Sequence, residues 1–165
     1  MQSKNWKIAV LPGNGIGVDV TREAVRVLRA IEERLPGAAF ELSEHPAGAA
    51  EYLQNGSPLP DVTFAACRDS DAVILGAMGL PDVRWPDGKE MTPQIDLRER
   101  LQLYCGLRPI RLYHEVHSPL KNCRAGDIDF VIVRENTEGL FSARLSQASD
   151  DNEEVCDILR ITRRG

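Results

Sequence analysis

Short, uninterrupted apolar runs recur along this chain, and stretches of helical spacing lie between them. "KIAVL" at 7–11, "DAVILGA" at 71–77 and "DIDFVIVRE" at 127–135 read as strands buried on both faces. "AAFELSEH" at 38–45, "YCGLRPIRLY" at 104–113 and "EVCDILRITRR" at 154–164 read as further strands. The clearest helix follows the first run. Val20, Ala24, Val27, Leu28, Ile31 and Leu35 form one helical stripe, and Pro36-Gly37 ends it. Shorter helices are expected near 48–54, 60–68 and 93–103. A strand buried on both faces needs a cover on each, and alternating helices supply it. The expected class is therefore α/β with a parallel or mixed sheet.

Between the first strand and its helix lies "LPGNGIG". The fingerprint of dinucleotide-binding folds is Gly-x-Gly-x-x-Gly. Here Gly13, Gly15 and Gly17 alternate, and the third fingerprint position falls on the branched Val18. Glu32 and Glu33 lie near the offset of the fingerprint acid, but inside the helical pattern. By spacing alone the stretch is a strand-to-helix turn whose N–H groups also suit an anion or a cofactor edge. A second loop, "MGLPDVRWPDGKEMTP" at 78–93, has three prolines and little periodicity, and long loops in compact domains are often functional.

Composition narrows the function. Twenty Lys and Arg against 25 Asp and Glu give a net charge of −5, which argues against nucleic acid or an anionic membrane as the main partner. No apolar run approaches a membrane span, and the N-terminus enters a strand with no signal-peptide stretch, so a cytoplasmic protein is expected. Cys67, Cys105, Cys123 and Cys156 form no C-x-x-C pair and read as reduced, mostly buried thiols. "HEVH" at 114–117 lacks an evident third ligand and reads as a surface pair. "SDDNEE" at 149–154 reads as a solvated loop.

Three arginines stand at the borders of apolar elements: Arg98 in "IDLRERLQLY", Arg108 in "CGLRPI" and Arg134 in "FVIVREN". Taken singly, each reads as one half of an ion pair with a carboxylate such as Asp96, Glu99 or Glu135. Taken together, three planar forks suit a di- or tricarboxylic ligand.

"AVLPGNGIGVDVTREAVRVL", "AVILGAMGLP", "LRERLQLYCGLRP", "HSPLK" and "DFVIVRENTEG" occur in this order. Together they resemble the N-terminal half of the isocitrate/isopropylmalate dehydrogenases, the metal-dependent β-decarboxylating family that includes tartrate dehydrogenase. The resemblance implies a three-layer α/β sandwich that is not the usual Rossmann topology. It implies residues 1–103 as the first part of a large domain and 104–165 as the truncated start of a small dimerisation domain. It further implies a homodimer, NAD or NADP as cofactor, and a hydroxy-acid substrate of the malate, isopropylmalate, isocitrate or tartrate type. Gly15, Ile16, Gly79, Met91 and Thr92 would line the cofactor side. Arg98, Arg108 and Arg134 would grip the substrate carboxylates, with Gln94 beside the variable group. The family's Mg2+- or Mn2+-binding aspartates, its lysine and its adenosine loop belong to the second half. The chain therefore reads as incomplete, with no metal ligand of its own and no activity alone.

The departures from the family pattern are informative. Phe141 occupies the position of the family's proton-donating tyrosine and has no proton to give. Another acid or water would then serve, or oxidation would proceed without decarboxylation. Asn14 stands where the glycine loop usually has aspartate, and Gln94 is polar where isopropylmalate enzymes place an apolar patch. Two other readings compete. One is a non-catalytic relative acting as a regulatory or carboxylate-binding subunit. The other, which ignores the motif order, is a flavodoxin-like binding domain.

Overall fold

The structure is a computed structural model describing residues 4–141 and 159–163. The chain forms two compact units, Met1–Leu97 and Arg98–Gly165. The first contains β1 (Lys4–Leu11), α1 (Ile16–Arg34), β2 (Ala38–Glu44), α2 (Ala49–Asn55), α3 (Asp61–Arg68) and β3 (Ala72–Leu75). α4 (Pro93–Leu101) starts in the first unit and ends in the second. The second unit contains β4 (Cys105–Arg111), one 3-10 turn at Glu115–His117, and β5 (Asp129–Glu135).

In the first unit three parallel strands lie in the order β2-β1-β3. Ile8 of the central strand pairs with Leu42 on one side and Ala72 on the other. Ile8, Ala9, Val10 and Leu11 are all buried, as a continuous apolar run in a central strand requires. Right-handed crossovers in opposite directions put α1 on one face and α2 with α3 on the other, giving three layers. The opposite layer is pinned by Thr63, fully buried on α3, which donates to the Pro46 carbonyl at 2.8 Å.

The rotation of α1 differs from the expected one. Gly17 and Thr21 are buried, and Val25, Leu28 and Glu32 are half-buried, so this stripe meets the sheet. Of the expected stripe, Val20, Ala24, Val27, Ile31 and Leu35 are exposed. The physical cause is the close approach at Gly17. Any Cβ there would lie 2.4 Å from the Ala77 oxygen and 2.5 Å from the Pro12 oxygen. That contact fixes which side of the helix faces inward, and it overrides the larger apolar stripe.

The end of α1 is tied to β2 by Glu32. Its carboxylate accepts from the Phe40 N–H at 2.6 Å and from Arg29 at 2.7 Å. The Phe40 bond first, then Arg29, holds this carboxyl below the usual glutamate range. A lowered folded pKa contributes stability above the unfolded value, and the contribution is lost as pH falls through the folded value. The stability gap between the natural chain and Glu32→Gln should be constant near neutrality. It should shrink below about pH 4.3, the ordinary glutamate value. Urea midpoints measured from pH 7 to pH 3 check this; a gap that widens on acidification would refute it.

The segment after β3 contains more order than its composition suggests. Arg84 and Glu90 form an antiparallel bridge, and the Trp85 N–H donates to the Lys89 carbonyl at 2.9 Å. The Trp85 ring meets Tyr52 of α2 edge-on, with centroids 5.1 Å apart. Asp87 and Gly88 sit at the tip, where Lys89 pairs with Asp87 at 2.9 Å.

In the second unit β4 and β5 form a separate antiparallel pair, so the chain's sheets are mixed in kind and not joined in one ladder. β5 was expected to be buried. Instead Phe130, Val131, Ile132 and Val133 are 43–69% exposed. A two-stranded ribbon has two faces to cover, and the described residues supply no layer over either. Of the strand expected at 154–164, residues 154–158 and 164 lie outside the described residues. Arg160 makes an isolated bridge with Gly139, and Thr162 donates to the Glu138 carboxylate through both its N–H and its hydroxyl. The acidic run at 149–154 also lies outside them.

Candidate active site

The alternating glycines divide into two jobs. A Cβ at Gly13 would lie 2.1 Å from the Ala77 oxygen, and one at Gly76 would lie 2.1 Å from the Pro12 oxygen. With Gly17 they let the turn after β1 close on the segment after β3, where the Asn14 N–H donates to Ala77 O and the Gly76 N–H to Leu11 O, both at 2.8 Å. Gly15 is different. A Cβ there would meet nothing within 4 Å, and Gly15 precedes α1 as its N-cap with no side-chain cap bond. Ile16 beside it is 66% exposed. An open backbone at a helix start and an exposed apolar side chain fit the edge of a cofactor. Val18, at the fingerprint's packing position, is 47% exposed. The close-packing glycine of this fold is Gly17, one residue earlier.

Asn14 has a structural task that sequence reasoning did not assign. It is buried, its Oδ1 accepts from the Ala50 N–H at 3.3 Å, and its Nδ2 donates to Gly13 O at 3.0 Å. It thus caps α2 from a different segment, and Gly48 leaves the room: a Cβ there would lie 2.3 Å from Asn14 Oδ1. A cavity of about 330 Å³ lies beside it, lined by Pro12, Asn14, Val18, His45 and Glu51.

The remaining residues expected on the cofactor side have unlike surroundings. Gly79 is open, with a φ of +111° and no neighbour within 4 Å of a Cβ. Thr92 starts α4: its carbonyl accepts from Ile95 at 2.8 Å, and Pro93, which has no N–H to leave unpaired, follows it. Met91 is 1% exposed and belongs to the packed core of the first unit. Gln94 lies on the first turn of α4, with its Oε1 buried.

Arg108 and Arg134 are brought together. Gly106 stands opposite Arg134 and Arg108 opposite Ile132, so both guanidiniums leave the same face of the β4–β5 ladder on neighbouring strands. The ion pairs expected of single arginines do not form: among the described residues Arg98, Arg108 and Arg134 have no carboxylate partner. Glu135 is otherwise engaged. Its Oε1 accepts from the Thr137 N–H at 2.5 Å, the Glu138 N–H at 2.7 Å and the Thr137 hydroxyl at 2.8 Å. These bonds, the Thr137 N–H first, hold its carboxyl below the usual range. They also fold the "RENTEG" turn so that the Phe141 ring lies under Arg134, with the guanidinium carbon 5.0 Å from the centroid. Asn136, buried in the same turn, packs against Gly106, where a Cβ would lie 2.5 Å from its Nδ2. Arg98 lies on the last turns of α4, away from this ladder in sequence but in the same unit.

The other candidates carry less. Of the thiols expected to be mostly buried, only Cys67 is so among the described residues. Cys105 is exposed, because β4 lacks a cover, and Cys123 is half-buried. Burial pushes the Cys67 thiol up, which makes it inert. Cys156 lies outside the described residues. His114 accepts the Val116 N–H at 3.2 Å and caps the 3-10 turn, and its ring is 5.9 Å from that of His117. Among the described residues no group of three or more His, Cys, Asp or Glu is placed to hold a metal ion. No helix there is long and apolar enough to cross a membrane.

The family model for isocitrate/isopropylmalate dehydrogenase matches residues 7–165. The chain belongs to the isocitrate/isopropylmalate dehydrogenase family. Among similar relatives of this family, 3-isopropylmalate dehydrogenase of Corynebacterium aurimucosum is 44% identical over 135 residues, covering 82% of this chain and 38% of the relative. The 3-isopropylmalate dehydrogenase of Bacillus caldotenax is 42% identical over 156 residues, covering 91% of this chain and 42% of the relative. Among solved structures, isocitrate dehydrogenase of Methylococcus capsulatus superposes with a TM-score of 0.74 at 30% identity, over 96% of this chain and 43% of that one. The apo β-decarboxylating dehydrogenase of Thermococcus kodakarensis gives 0.65 at 34% identity, over 96% and 41%. The chain thus spans about two fifths of the length of the dehydrogenases it matches.

Proposed function

We propose that this chain supplies the cofactor-edge loop and the carboxylate-binding arginines of a dehydrogenase that oxidises a 2-hydroxy dicarboxylate with NAD or NADP and a divalent metal. The observation that carries the reading is the pair Arg108 and Arg134, projecting from one sheet face with no carboxylate partner among the described residues. A planar fork left free in this way matches a ligand carboxylate bidentately. Arg98, also unpaired, is assigned the third contact. The Phe141 ring holds the plane of Arg134 without contributing a proton, so a carboxylate on Arg134 is oriented but the carbon skeleton is not protonated from this position.

In the proposed reaction the C2–H electron pair leaves with its hydrogen, the 2-hydroxyl proton goes to water, and a 2-oxo acid forms. Nicotinamide supplies the hydride acceptor when bound, and Gly15, Ile16 and Gly79 are the residues open enough to hold its carrier. The described residues do not fit a divalent ion. Mg2+ or Mn2+ ligands are assigned to the family length that this chain does not span. A homodimer in the cytoplasm is part of the same reading.

The test uses the protein as its own cells make it. Reduction of NAD or NADP by a panel of 2-hydroxy dicarboxylates should be abolished by a chelator and restored by Mn2+. Carboxylate binding with no cofactor reduction under any of these conditions would favour the other reading, a non-catalytic regulatory subunit, to which Phe141 lends support.

A further inference from the structure

We propose that the cavity beside Asn14 binds a small primary ammonium compound, with its charge on Glu51 and a short apolar chain against Val18 and Ala50. The site lies wholly in the first unit and does not depend on the dehydrogenase reading.

The observation is a buried carboxylate without a cation. Glu51 on α2 is 8% exposed and lines the cavity. Its Oε1 accepts from Asn55 Nδ2 at 2.7 Å. Its Oε2 has no hydrogen-bond partner among the described residues, yet it keeps accessible surface, so a ligand can reach it. No Lys, Arg or His of the described residues pairs with it. Glu32 is the contrast in the same unit: less buried, it carries both Arg29 and the Phe40 N–H. A carboxylate taken out of water needs an opposite charge or a full set of donors, and one neutral amide is neither. Its place in the first turn of α2 offsets part of the cost, but the dipole of so short a helix puts no donor on Oε2.

The lining says what kind of ligand. Glu44 adds a second carboxylate, also without a cation partner among the described residues. No Lys or Arg lines the cavity. Two carboxylates with no fixed cation attract a positive ligand and repel a negative one. The dicarboxylate and the phosphate-bearing cofactor of the proposed reaction are thus both unsuited, and Gly15 and Ile16 are not part of the lining. A metal ion is unsuited as well, since no group of three ligating side chains converges among the described residues. A quaternary ammonium has no N–H for Oε2, and no Phe, Tyr or Trp face lines the cavity to hold it. A primary ammonium has three donors, and Glu51 Oε2, Glu44 and the Gln54 amide oxygen can accept them. The volume, about 330 Å³, is at the low end of the range of about 300–1,000 Å³ for small-ligand sites, which favours an amine of a few carbons.

The experiment titrates the protein as its own cells make it with n-butylammonium chloride, n-butanol and tetramethylammonium chloride, by calorimetry at constant ionic strength. Butylammonium should bind with a Kd at least about tenfold below those of the other two, the discrimination expected of one charge-assisted hydrogen bond. Glu51→Gln keeps an acceptor for Asn55, and it should weaken butylammonium by about the same factor while leaving butanol unchanged. Glu33→Gln removes an exposed carboxylate of α1 outside the cavity and should change neither. No binding of butylammonium, or equal affinity for the three probes, overturns the proposal. Equal losses in Glu51→Gln and Glu33→Gln overturn it too, since they would mean attraction to surface charge in general. Should Glu51→Gln not fold, Glu44→Gln, at an exposed position of the lining, decides: a weakened Kd supports the site and an unchanged one removes it.

Discussion

Gly17→Ala should unfold the first unit or cost it about 3 kcal/mol or more, at the upper end of what overpacking does. The new methyl carbon would sit 2.4 Å from the Ala77 oxygen, 2.5 Å from the Pro12 oxygen and 2.8 Å from the Ala77 nitrogen. All three are backbone atoms, so no side chain can swing aside. Relief requires moving α1 off the sheet, and with it the contacts of Thr21, Val25 and Leu28. Gly15→Ala is the control. Nothing lies within 4 Å of its Cβ, and the cost there is backbone strain alone, since φ +55° with ψ −126° is a conformation side chains rarely adopt, about 1–3 kcal/mol. Gly17→Ala should therefore have the lower thermal or urea midpoint of the two. A Gly17→Ala protein with the natural midpoint would mean that the helix does not approach the loop as described.

If the proposed dehydrogenase reading holds, Arg108→Ala should lower kcat/KM of the natural protein by about 10²–10³-fold, which is what removing one partner of a desolvated charge pair costs. Most of the loss should appear in KM, with part of it restored by Arg108→Lys, which keeps the charge and loses the fork. Arg111→Ala is the matched control on the same strand. Arg111 points to the opposite face, where it lies 3.8 Å from Asp129 and over the Tyr113 ring. Its removal should change the kinetics by less than about threefold, as for an exposed pair. Equal effects in the two variants, or unchanged kinetics in Arg108→Ala, would remove the arginine face from the proposed site.

The element order was legible because most strand runs are short and apolar and α1 and α2 are stopped by Pro36-Gly37 and Gly56. α1 and β2 lie where Pro36-Gly37 and the 38–45 run put them, to within a residue or two. What faced inward was harder to read. α1 carries two apolar stripes, and the choice between them was made at Gly17 by a backbone contact with Ala77, sixty positions away and silent in any periodicity. The exposure of Phe130–Val133 was likewise unreadable, because an apolar strand looks the same in sequence whether or not its cover is present. At the site, Arg108 and Arg134 were conspicuous as charges ending apolar runs, but their common face depends on the register Gly106 to Arg134. The roles of Glu135 and Asn14 were hidden. Both act through backbone N–H groups, which leave no mark in composition.

The division of labour within "GNGIG" bears on how such a loop changes over generations. Gly13 and Gly17 are locked by backbone neighbours, while Gly15 and Ile16 touch little of the protein. The same five residues therefore hold frozen and adjustable positions side by side. A library randomised at position 16 should yield many folded proteins, one at position 15 fewer because of its positive φ, and one at 13 and 17 almost none. The side chain at position 16 can then change over generations without passing through unfolded intermediates.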